Sequence, residues 1–566
     1  MNKKRTGRFI ALALLLAGLC STVQAQNQYQ LNVTAGTNWS SSAIWTPVES
    51  APAGMAPGTG ATKDDIAIMS RNAGNLAGSR ITTNDVSISL GGLYIGTTAN
   101  SNGKQTLTAA NGSTITFTNT TGGSAFIIKT NNTGASATGV DVINTPIVLG
   151  SNLAVSNRSS YGGLTINGAI SQSGGAQSVT IANDSTNVIS MTALNSYSGG
   201  TTLTSGKLTA NHKDALGSGA LTIQSAGDAT FTLSNTTMSN NIVNNGKMTL
   251  GGNAGLSGNI SGNGSIYHNS SSNFTLSLTG DNSAFSGTIT NAGGFKFDGA
   301  KALGTATVYL GDGINTGSFG LDKSTNATGA NAVKNNIILS GDGNTVGNNL
   351  NTLELAGVIS GSATLGKNGL GALILSGINT YSGNTTVNFG KLTVNGVVVS
   401  PLIAVSNGAT LGGTGLVQAV TVNAGGVLSV ANTNSPGTLT FTADASLEAG
   451  STNIIEIYSA SLYDALKGSV SNTLTLAGEN IIDFTGWTTP GVANGTTFAL
   501  FQNWGSINTN GGTFTVVNLG NLGLTDDQTL VATGTGFMVI PKSPPSMLLL
   551  FGALFHRSPA LRSSAF

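Results

Sequence analysis

The chain is long, nearly neutral and poor in charged residues. It has 566 residues, including 80 Gly, 11 Pro and one Cys, and 8% of them are charged, against about 25% in ordinary soluble domains. Scarce proline without a Gly-X-Y period excludes collagen, and the near-zero net charge excludes charge-driven disorder. The 23 Lys and Arg residues are spread along the chain, which argues against nucleic-acid binding. This composition favours a repetitive β-protein.

Residues 1–25 predict a secretory signal peptide. Basic residues precede an apolar run, and a small-x-small cleavage site follows at Val23-Gln24-Ala25. The apolar run is shorter than the ~20 residues of a membrane-spanning helix. Cys20 makes lipoprotein processing the alternative, which Leu19 disfavours. Cleavage before Gln26 removes the only Cys, so we expect neither disulfides nor cysteine metal sites.

Two short motifs recur together three times in the middle of the chain. The first is Gly-x-Ile-Ser, at 168–171, 258–261 and 357–360. The second follows each copy and contains an Asn, an aromatic residue and Ser-Gly, the aromatic residues being Tyr197, Phe285 and Tyr381. Such repeats indicate stacked units that bury their apolar faces on one another. Because Phe replaces Tyr in one copy, we expect the ring to pack in a core or turn rather than contact a ligand.

Short strands separated by Gly and Asn turns predict the fold class. Segments 373–375, 385–387 and 391–394 have strand patterns, and no helical period appears. Gly and Asn supply the positive φ angles of tight turns. We therefore predict an all-β chain, a right-handed parallel β-helix (solenoid) of Gly/Asn/Thr-rich repeats. A stack of β-sandwich modules is the alternative, but between 100 and 430 it would have only Pro146 and Pro401 for its linkers.

The third repeat resembles the autotransporter-associated β-strand repeat, found in passenger regions of large exported bacterial proteins. It matches the pattern Leu-x-Gly-x-Asn-x-Tyr-Ser-Gly-x-Thr-Thr-Val-x-x-Gly-x-Leu from Leu375 to Leu392, whereas the other two copies match in part. The match covers about 165–400, and 408–426 resembles the region that follows such repeats. The resemblance implies fold and export, but no particular activity. After Phe537 no barrel-like alternating strands appear, so we expect a passenger without its transporter.

The C-terminal residues resemble a PEP-CTERM sorting tail. A Pro-rich hinge at 541–545 precedes the apolar run 547–555 and terminal Arg residues. Lys542 stands where that family has Glu, and the apolar run is too short to span a bilayer. We interpret the segment as a degenerate sorting tail, with a disordered tail as the alternative.

These features divide the chain into five predicted segments. They are a signal peptide (1–25), an N-terminal β-region with the start of the solenoid (26–150), the repeat solenoid (151–400), a C-terminal β-helix or capping region (401–537) and the sorting-like tail (538–566). Membrane contact is expected only through the first and last segments.

Candidate acids for polysaccharide cleavage are scattered. Glycoside hydrolysis needs two carboxylates across the scissile bond, and the candidates are Asp184, Asp281, Asp298, Asp312, Asp342, Glu354, Glu456, Asp464 and Glu479. Most stand alone, and several adjoin Gly or Asn, which is typical of turns. The pairs Asp64-Asp65 and Asp526-Asp527 lie outside the repeats, where solvated loops are expected. A cleft shared by Asp184, Asp281 and Glu354 would indicate an enzyme.

No pattern predicts a metal, cofactor or nucleophile site. His212, His268 and His556 are far apart and are expected at the surface, and the tandem calcium-binding nonapeptide is absent. Histidine metal pairs, nucleophile elbows and phosphate loops are absent too. The four tryptophans are expected to cover end coils rather than stack on sugars: Trp39, Trp45, Trp487 and Trp504. We therefore assign no catalytic, cofactor-binding or metal-binding residue.

The sequence thus favours an exported, non-enzymatic β-helical protein of the cell surface or extracellular matrix, with a structural or adhesive role. Extracellular polysaccharide or other cell-surface components are the expected partners. The alternative is a polysaccharide-acting β-helix enzyme, a lyase or a glycoside hydrolase. A groove with carboxylates converging within about 5–10 Å would distinguish that enzyme.

Overall fold

The chain folds as a parallel β-helix, in which short strands pair with equivalent strands of the next coil. The computed structural model of the protein describes residues 27–542, together with the backbone of 562–563, but not 32–36, 49–50, 52, 61–63, 70–79, 97–103, 131–138, 160–161, 184–186, 226–227, 271–273, 322–325, 348–350, 431–434, 490 and 527. The predicted signal peptide, most of the sorting-like tail, Asp184, Asp527 and His556 lie outside the described residues. The predicted β-solenoid is confirmed, and the β-sandwich alternative is wrong, because the long sheets are built of parallel pairs.

Two compact units make up the chain. The first runs to Asn269 and includes Leu276–Thr288, and the second begins at Ile289 and includes Ser270–Thr275. This division falls inside the predicted repeat solenoid, 151–400. The five predicted segment boundaries stay a prediction.

The strands of the first unit stack on three faces. The first face contains, in stacking order, Trp45–Val48, Gln28–Leu31, Ile66–Met69, Gly92–Ile95, Ala125–Lys129, Leu153–Asn157, Val179–Ala182, Thr201–Ser205, Leu221–Ile223, Ile242–Asn244 and Ile260–Ser261. The second contains Thr37–Asn38, Arg80–Asn84, Gln105–Ala109, Asp141–Ile143, Leu164–Ile166, Val188–Met191, Lys207–Ala210, Thr230–Ser234, Lys247–Gly251 and Ser265–His268. The third contains two sheets, Ile88–Leu90, Ile115–Phe117, Ile147–Leu149 and Ile170–Gln172, and then Thr237–Met238, Ala254–Leu256 and Thr275–Leu278. A 3-10 helix spans Ser42–Ile44.

The second unit is built in the same way. One face contains Thr288–Asn291, Thr307–Leu310, Ile337–Leu339 and Ile359–Gly361, followed by the separate sheet Ile378–Asn379, Val397–Val398, Leu416–Val417, Thr438–Phe441, Ala465–Lys467 and Phe501–Gln502. Another contains Gly294–Phe297, Ser318–Leu321, Asn344–Gly347, Leu365–Asn368, Thr385–Val387, Leu402–Val405, Ala419–Val422, Ala445–Leu447, Thr473–Leu476 and Ser506–Asn508. A further face contains Leu353–Leu355, Ala372–Leu375, Gly390–Val394, Ala409–Gly412, Val427–Ser429, Thr452–Glu456, Glu479–Asp483, Thr513–Val517 and the backbone of Arg562–Ser563. The 3-10 helices are Ala300–Leu303, Gly329–Asn331 and Leu519–Leu522.

Inward aliphatic side chains stack in register and form the core. One column of the first unit contains Leu93, Ile127, Val155, Ile181, Leu203 and Ile223. A column of the second unit contains Leu353, Leu373, Leu392, Leu411 and Leu428. All of these side chains are buried. Because a buried Leu or Ile contributes about 1.5–3 kcal/mol, each added coil stabilises its neighbours.

The two repeat motifs are hydrogen-bonded to each other. The Oδ1 of the Asn accepts from the backbone N–H of the Ile in the preceding Gly-x-Ile-Ser: Asn195 from Ile170 (2.7 Å), Asn282 from Ile260 (2.7 Å) and Asn379 from Ile359 (3.1 Å). The partners lie 25, 22 and 20 residues apart. A bond of this kind contributes about 0.5–1.5 kcal/mol. The co-occurrence of the motifs therefore reflects contact between neighbouring coils.

The glycine of Gly-x-Ile-Ser lies directly on the backbone of the preceding coil. A Cβ at Gly168 would lie 2.0 Å from the carbonyl oxygen of Thr145, and at Gly357 it would lie 2.1 Å from that of Asn335. No real side chain fits at such a distance. Glycine is therefore required here for close backbone approach.

The aromatic residues of the repeat are buried, as expected. The hydroxyl of Tyr197 lies 2.5 Å from Thr201 Oγ1, and that of Tyr381 lies 2.7 Å from Thr385 Oγ1. Burial raises the pKa of Tyr381 to about 12 and also raises that of Tyr197. The ring packs in all three copies, including Phe285, and the two tyrosines also use their hydroxyls.

An antiparallel edge strand closes the first sheet of the first unit. Trp45–Val48 is outermost and pairs antiparallel with Gln28–Leu31. Its Pro47 has no N–H to offer another strand, which protects an edge from aggregation. Trp39 is buried, donates its indole N–H to Pro57 O (2.9 Å) and packs on Trp45 with ring centroids 4.7 Å apart. These two tryptophans therefore pack at an end coil.

A small antiparallel sheet lies near the end of the second unit. It contains Thr497–Phe498, Phe537–Pro541 and Gln528–Ala532. Trp487 is buried with its ring 6.0 Å from that of Phe498. Trp504 is half-buried and donates its indole N–H to Leu466 O (2.9 Å).

Candidate functional site

Three of the predicted turn acids make hydrogen bonds to backbone N–H groups. Asp281 Oδ1 accepts from Ser283 N (3.1 Å), and Asp312 Oδ1 accepts from Ile314 N (3.0 Å) and Asn315 N (2.7 Å). Asp342 Oδ1 accepts from Thr364 N in the next coil (3.1 Å). The local bonds of Asp281 and Asp312 are the turn chemistry expected from the neighbouring Gly and Asn residues, whereas the bond of Asp342 connects two coils. Asp298 is half-buried directly after Gly294–Phe297.

Glu354 uses both carboxylate oxygens within the second unit. Its Oε1 accepts from Ser376 Oγ (2.7 Å), and its Oε2 accepts from Gly329 N (2.8 Å). The two bonds connect neighbouring coils. Both oxygens of Glu354 thus stabilise contacts between coils, whereas a catalytic carboxylate needs an oxygen that can reach a substrate.

Two expectations about polar residues are corrected. Asp65 was expected in a solvated loop with Asp64, but it is buried and accepts from Gly58 N (2.9 Å) and Asn27 Nδ2 (3.2 Å). His268 was expected at the surface, but it is buried with Nε2 3.0 Å from Gly252 O. His268 is at an inward position of the strand Ser265–His268, whereas Asp65 directly precedes the strand Ile66–Met69 and is enclosed by residues that hydrogen-bond to it. His212 is partly exposed, as expected.

A charged cluster joins two of the candidate acids in the second unit. Asp464 is buried, and its two oxygens accept from Gly437 N (2.9 Å) and Glu456 N (3.2 Å). Glu456 Oε2 accepts from the Tyr458 hydroxyl (2.8 Å). Lys391 interacts electrostatically with both carboxylates. Asp464 and Glu456 also interact with each other electrostatically, so the cluster brings two candidate acids together.

Burial controls the ionisation of this cluster. It raises the pKa of Asp464 to about 6, and the charge of Glu456 raises it further while backbone hydrogen bonds and Lys391 oppose the rise. Burial likewise lowers the pKa of Lys391, against the attraction of the two carboxylates. Because Asp464 is buried and each of its oxygens accepts a backbone hydrogen bond, it holds the segments at Gly437 and Glu456 together.

A shallow cleft lies where three coils of the second unit turn. It has a volume of about 290 Å³ and is lined by small residues of 450–452, 477–478, 511 and 513, together with Glu479. Glu479 Oε1 accepts from Thr515 Oγ1 (3.1 Å). Glu479 is the one carboxylate in this lining, whereas paired-acid glycoside cleavage needs two.

Two lysines that the sequence does not mark as site residues are buried. Lys129 and Lys367 occupy inward positions in the alternating strands Ala125–Lys129 and Leu365–Asn368. Lys129 forms an ion pair with buried Asp141, and Lys367 donates to three backbone carbonyls. The burial of both strands alternates in the structure, but their sequences, AFIIK and LGKN, do not alternate between apolar and polar residues, so no sequence pattern marks either lysine as inward.

The described residues do not contain a group of three His, Cys, Asp or Glu side chains placed to hold a metal ion. Within the same part of the chain, no helix has the length and apolarity needed to cross a bilayer. Asp281 and Glu354 lie in different units, and Asp184 is outside the described residues.

Comparisons with known proteins give two partial similarities, and no family model matches the chain. The chain is 43% identical over 74 residues to the adhesin BmaC autotransporter of Brucella suis biovar 1 (strain 1330), covering 12% of this chain and 2% of that protein. It is 41% identical over 99 residues to an extracellular serine protease of Serratia marcescens, covering 18% of this chain and 9% of that protein. The chain thus spans only a small part of either relative. Together with the parallel β-helix, these similarities support a protein of the autotransporter-passenger kind.

Proposed function

We propose that the chain is an exported, non-enzymatic structural or adhesive protein of the cell surface or extracellular matrix. The observation that carries this proposal is the use of acidic side chains to brace coils. Asp342, Glu354 and Asp464 each accept hydrogen bonds from backbone N–H groups of another segment. Coils that are stabilised by such hydrogen bonds and by stacked aliphatic side chains are what a stable exported scaffold protein needs. Similarity to part of an adhesin passenger supports the same role.

The proposed partners are extracellular polysaccharide or other cell-surface components. The outward strand positions are rich in Thr, Ser and Asn, for example Thr180 and Thr202 on adjacent coils. Hydroxyl and amide groups at coil-to-coil spacing can form hydrogen bonds with the regular hydroxyls of a polysaccharide. Weak contacts repeated along such a ladder gain avidity when one polymer engages several of them.

Export and surface presentation are tested by intact-mass measurement of the native protein from membrane, cell-surface and culture-medium fractions. A surface or matrix product that starts at Gln26 is expected. A product that retains residues 1–25 inside the cell would contradict the proposal.

The non-enzymatic role is tested by incubating the purified protein with insoluble polysaccharides. Retention on a polysaccharide without release of soluble sugar is expected. Release of reducing ends or unsaturated products would establish the alternative enzyme. In that case the paired variant Glu456→Gln/Asp464→Asn tests whether the charged cluster performs the cleavage, with the exposed-site variant Asp526→Asn as its control.

A further inference from the structure

Lys129 and Asp141 form a buried ion pair inside the first unit. The ammonium Nζ contacts Asp141 Oδ2, and both side chains are essentially inaccessible, at 0% and 1% exposure. Lys129 ends the strand Ala125–Lys129, and Asp141 begins the next strand along the chain, Asp141–Ile143. The pair therefore joins the two sides of one turn of the coil.

The pair is enclosed by side chains of the neighbouring coils. Lys129 is stacked between buried Ile95 and buried Asn157. Asp141 is stacked against buried Leu164 and lies beside buried Gln105. Exclusion of water destabilises charges in such a place. Transfer of the ammonium proton to Asp141 removes both charges and leaves an amine beside a carboxylic acid. Burial also raises the pKa of Asp141, which favours the neutral acid, although the charge of Lys129 opposes this.

The second carboxyl oxygen has a donor in place. Asp141 Oδ1 accepts from the backbone N–H of Gln105 at 2.7 Å. A backbone N–H in this position stabilises negative charge that develops on Oδ1 when a nucleophile adds to Cγ. The side-chain Oε1 of Gln105 is also buried and has no hydrogen-bond partner among the described residues.

We propose that Lys129 and Asp141 condense to an amide that covalently closes this turn. The neutral Nζ attacks Cγ of Asp141, and the Nζ–Cγ bond forms while the Gln105 N–H stabilises Oδ1. The Cγ–Oδ2 bond then breaks, and Oδ2 leaves with two protons from Nζ as water. Ammonium and carboxylate thus become one amide and one water, without an oxidant or an external reactant. Exclusion of water from the site opposes the reverse hydrolysis.

The amide would replace a buried ion pair by a neutral group and would close a short loop. Loop closure lowers the entropy of the unfolded chain, as a disulfide does in other secreted proteins. The mature chain is expected to contain no cysteine, so a lysine-aspartate amide is a covalent link that its composition permits. This inference is independent of the proposed structural or adhesive role.

The test is peptide mass analysis of the full folded chain after denaturation and trypsin digestion. Trypsin does not cut after an acylated lysine, so we expect one peptide spanning 105–158 that lacks the mass of one water molecule. Elastase, which cuts in the Ala- and Gly-containing segment 130–140, should then yield two peptides joined through Lys129 and Asp141. Cleavage after Lys367 in the same digest is the internal control, because the partners of that lysine among the described residues are carbonyl groups.

The variant Lys129→Arg keeps the positive charge and cannot form the lysine amide. It should show the full mass of the 130–158 peptide. Complete cleavage after Lys129 in the wild-type chain, giving that same peptide at full mass, would overturn the proposal and leave an ion pair. A water loss that fragmentation assigns to other residues would overturn it too. The wild-type digest decides the question even if Lys129→Arg does not fold.

Discussion

Lys129 in the first unit and Lys367 in the second unit are both buried at inward strand positions, but their charges are met by different partners. Lys129 contacts the carboxylate of Asp141. Lys367 donates to the carbonyl oxygens of Asn368 (3.0 Å), Gly369 (2.7 Å) and Phe389 (3.0 Å). One ammonium is therefore neutralised by a charge, and the other is solvated by backbone dipoles.

The difference predicts unequal consequences of losing each lysine. Removal of Lys129 leaves the carboxylate of Asp141 in the core without a positive partner. A buried unpaired charge lowers the free energy of unfolding far more than a backbone carbonyl that lacks a donor does. Removal of Lys367 leaves only carbonyl groups without this donor. Both units thus contain a lysine at an inward strand position, but we expect the stability of the protein to depend more strongly on Lys129 than on Lys367.

Lys129→Met is expected to have the largest effect, lowering the free energy of unfolding by about 3–5 kcal/mol. Asp141 would retain the Gln105 N–H but lose its cationic or covalent partner. Urea unfolding at neutral pH measures the loss. The double variant Lys129→Met/Asp141→Leu is the control: it also lacks the amide, but it should recover the part of the loss that comes from the uncompensated charge, because no charge remains buried. Equal losses in both variants would contradict this account of the pair.

Lys367→Met should destabilise the protein by about 1–3 kcal/mol, since three carbonyls lose a charged donor. The matched control is Lys247→Met, at an exposed strand position, with an expected change within about 0.5 kcal/mol. Both are measured by urea unfolding. A loss for Lys367→Met as large as that for Lys129→Met would remove the proposed distinction between charge and dipole partners.

The contribution of Lys367 to stability is expected to depend on pH. Burial lowers its pKa from 10.5 to about 8, so the folded chain releases this proton at a lower pH than the unfolded chain does. Between these pH values the unfolded state binds more protons, and the contribution of Lys367 to stability therefore rises with pH. We expect the urea midpoint of the wild type to rise relative to that of Lys367→Met between pH 8 and pH 10. A constant difference would show that the carbonyls fully stabilise the ammonium.

Asp464 provides the corresponding test for an acid bonded to backbone N–H groups, and its effect is expected to be the smallest. Burial raises its pKa from 3.8 to about 6, so the folded state binds more protons between these values. Its contribution to stability therefore falls as pH rises from about 4 to about 6. The variant Asp464→Asn should lack this decline, although its amide nitrogen cannot accept from Glu456 N. Parallel urea midpoints of wild type and variant across this range would contradict the assignment.

The repeats allowed much of the fold to be predicted from the sequence. Gly-x-Ile-Ser and the Asn-aromatic motif recur because Ile170 and Asn195, like Ile359 and Asn379, are hydrogen-bonded between coils. The burial of the repeat aromatics also followed from the exchange of Tyr for Phe. Contacts of this type occur in successive coils, so the residues that make them recur along the sequence as motifs.

The candidate sites were less predictable because they occur once. Nothing in the sequence spacing around Lys129 and Asp141 shows that they share one interior, nor that Asp65 and His268 are buried. The direction of each side chain depends on strand register, and a shift by one residue would turn it to the opposite face.

Short apolar strands and Gly/Asn turns are local features, so they indicate the β-solenoid without knowledge of any tertiary contact. The partners of each enclosed polar group, in contrast, follow from how the coils fold and stack. Stacking places Lys129 against a carboxylate, Lys367 against three carbonyls and Asp464 between two backbone N–H groups. A side chain's ionisation and reactivity depend on the dielectric and the partners around it, and these are set by strand register and burial rather than by spacing along the chain.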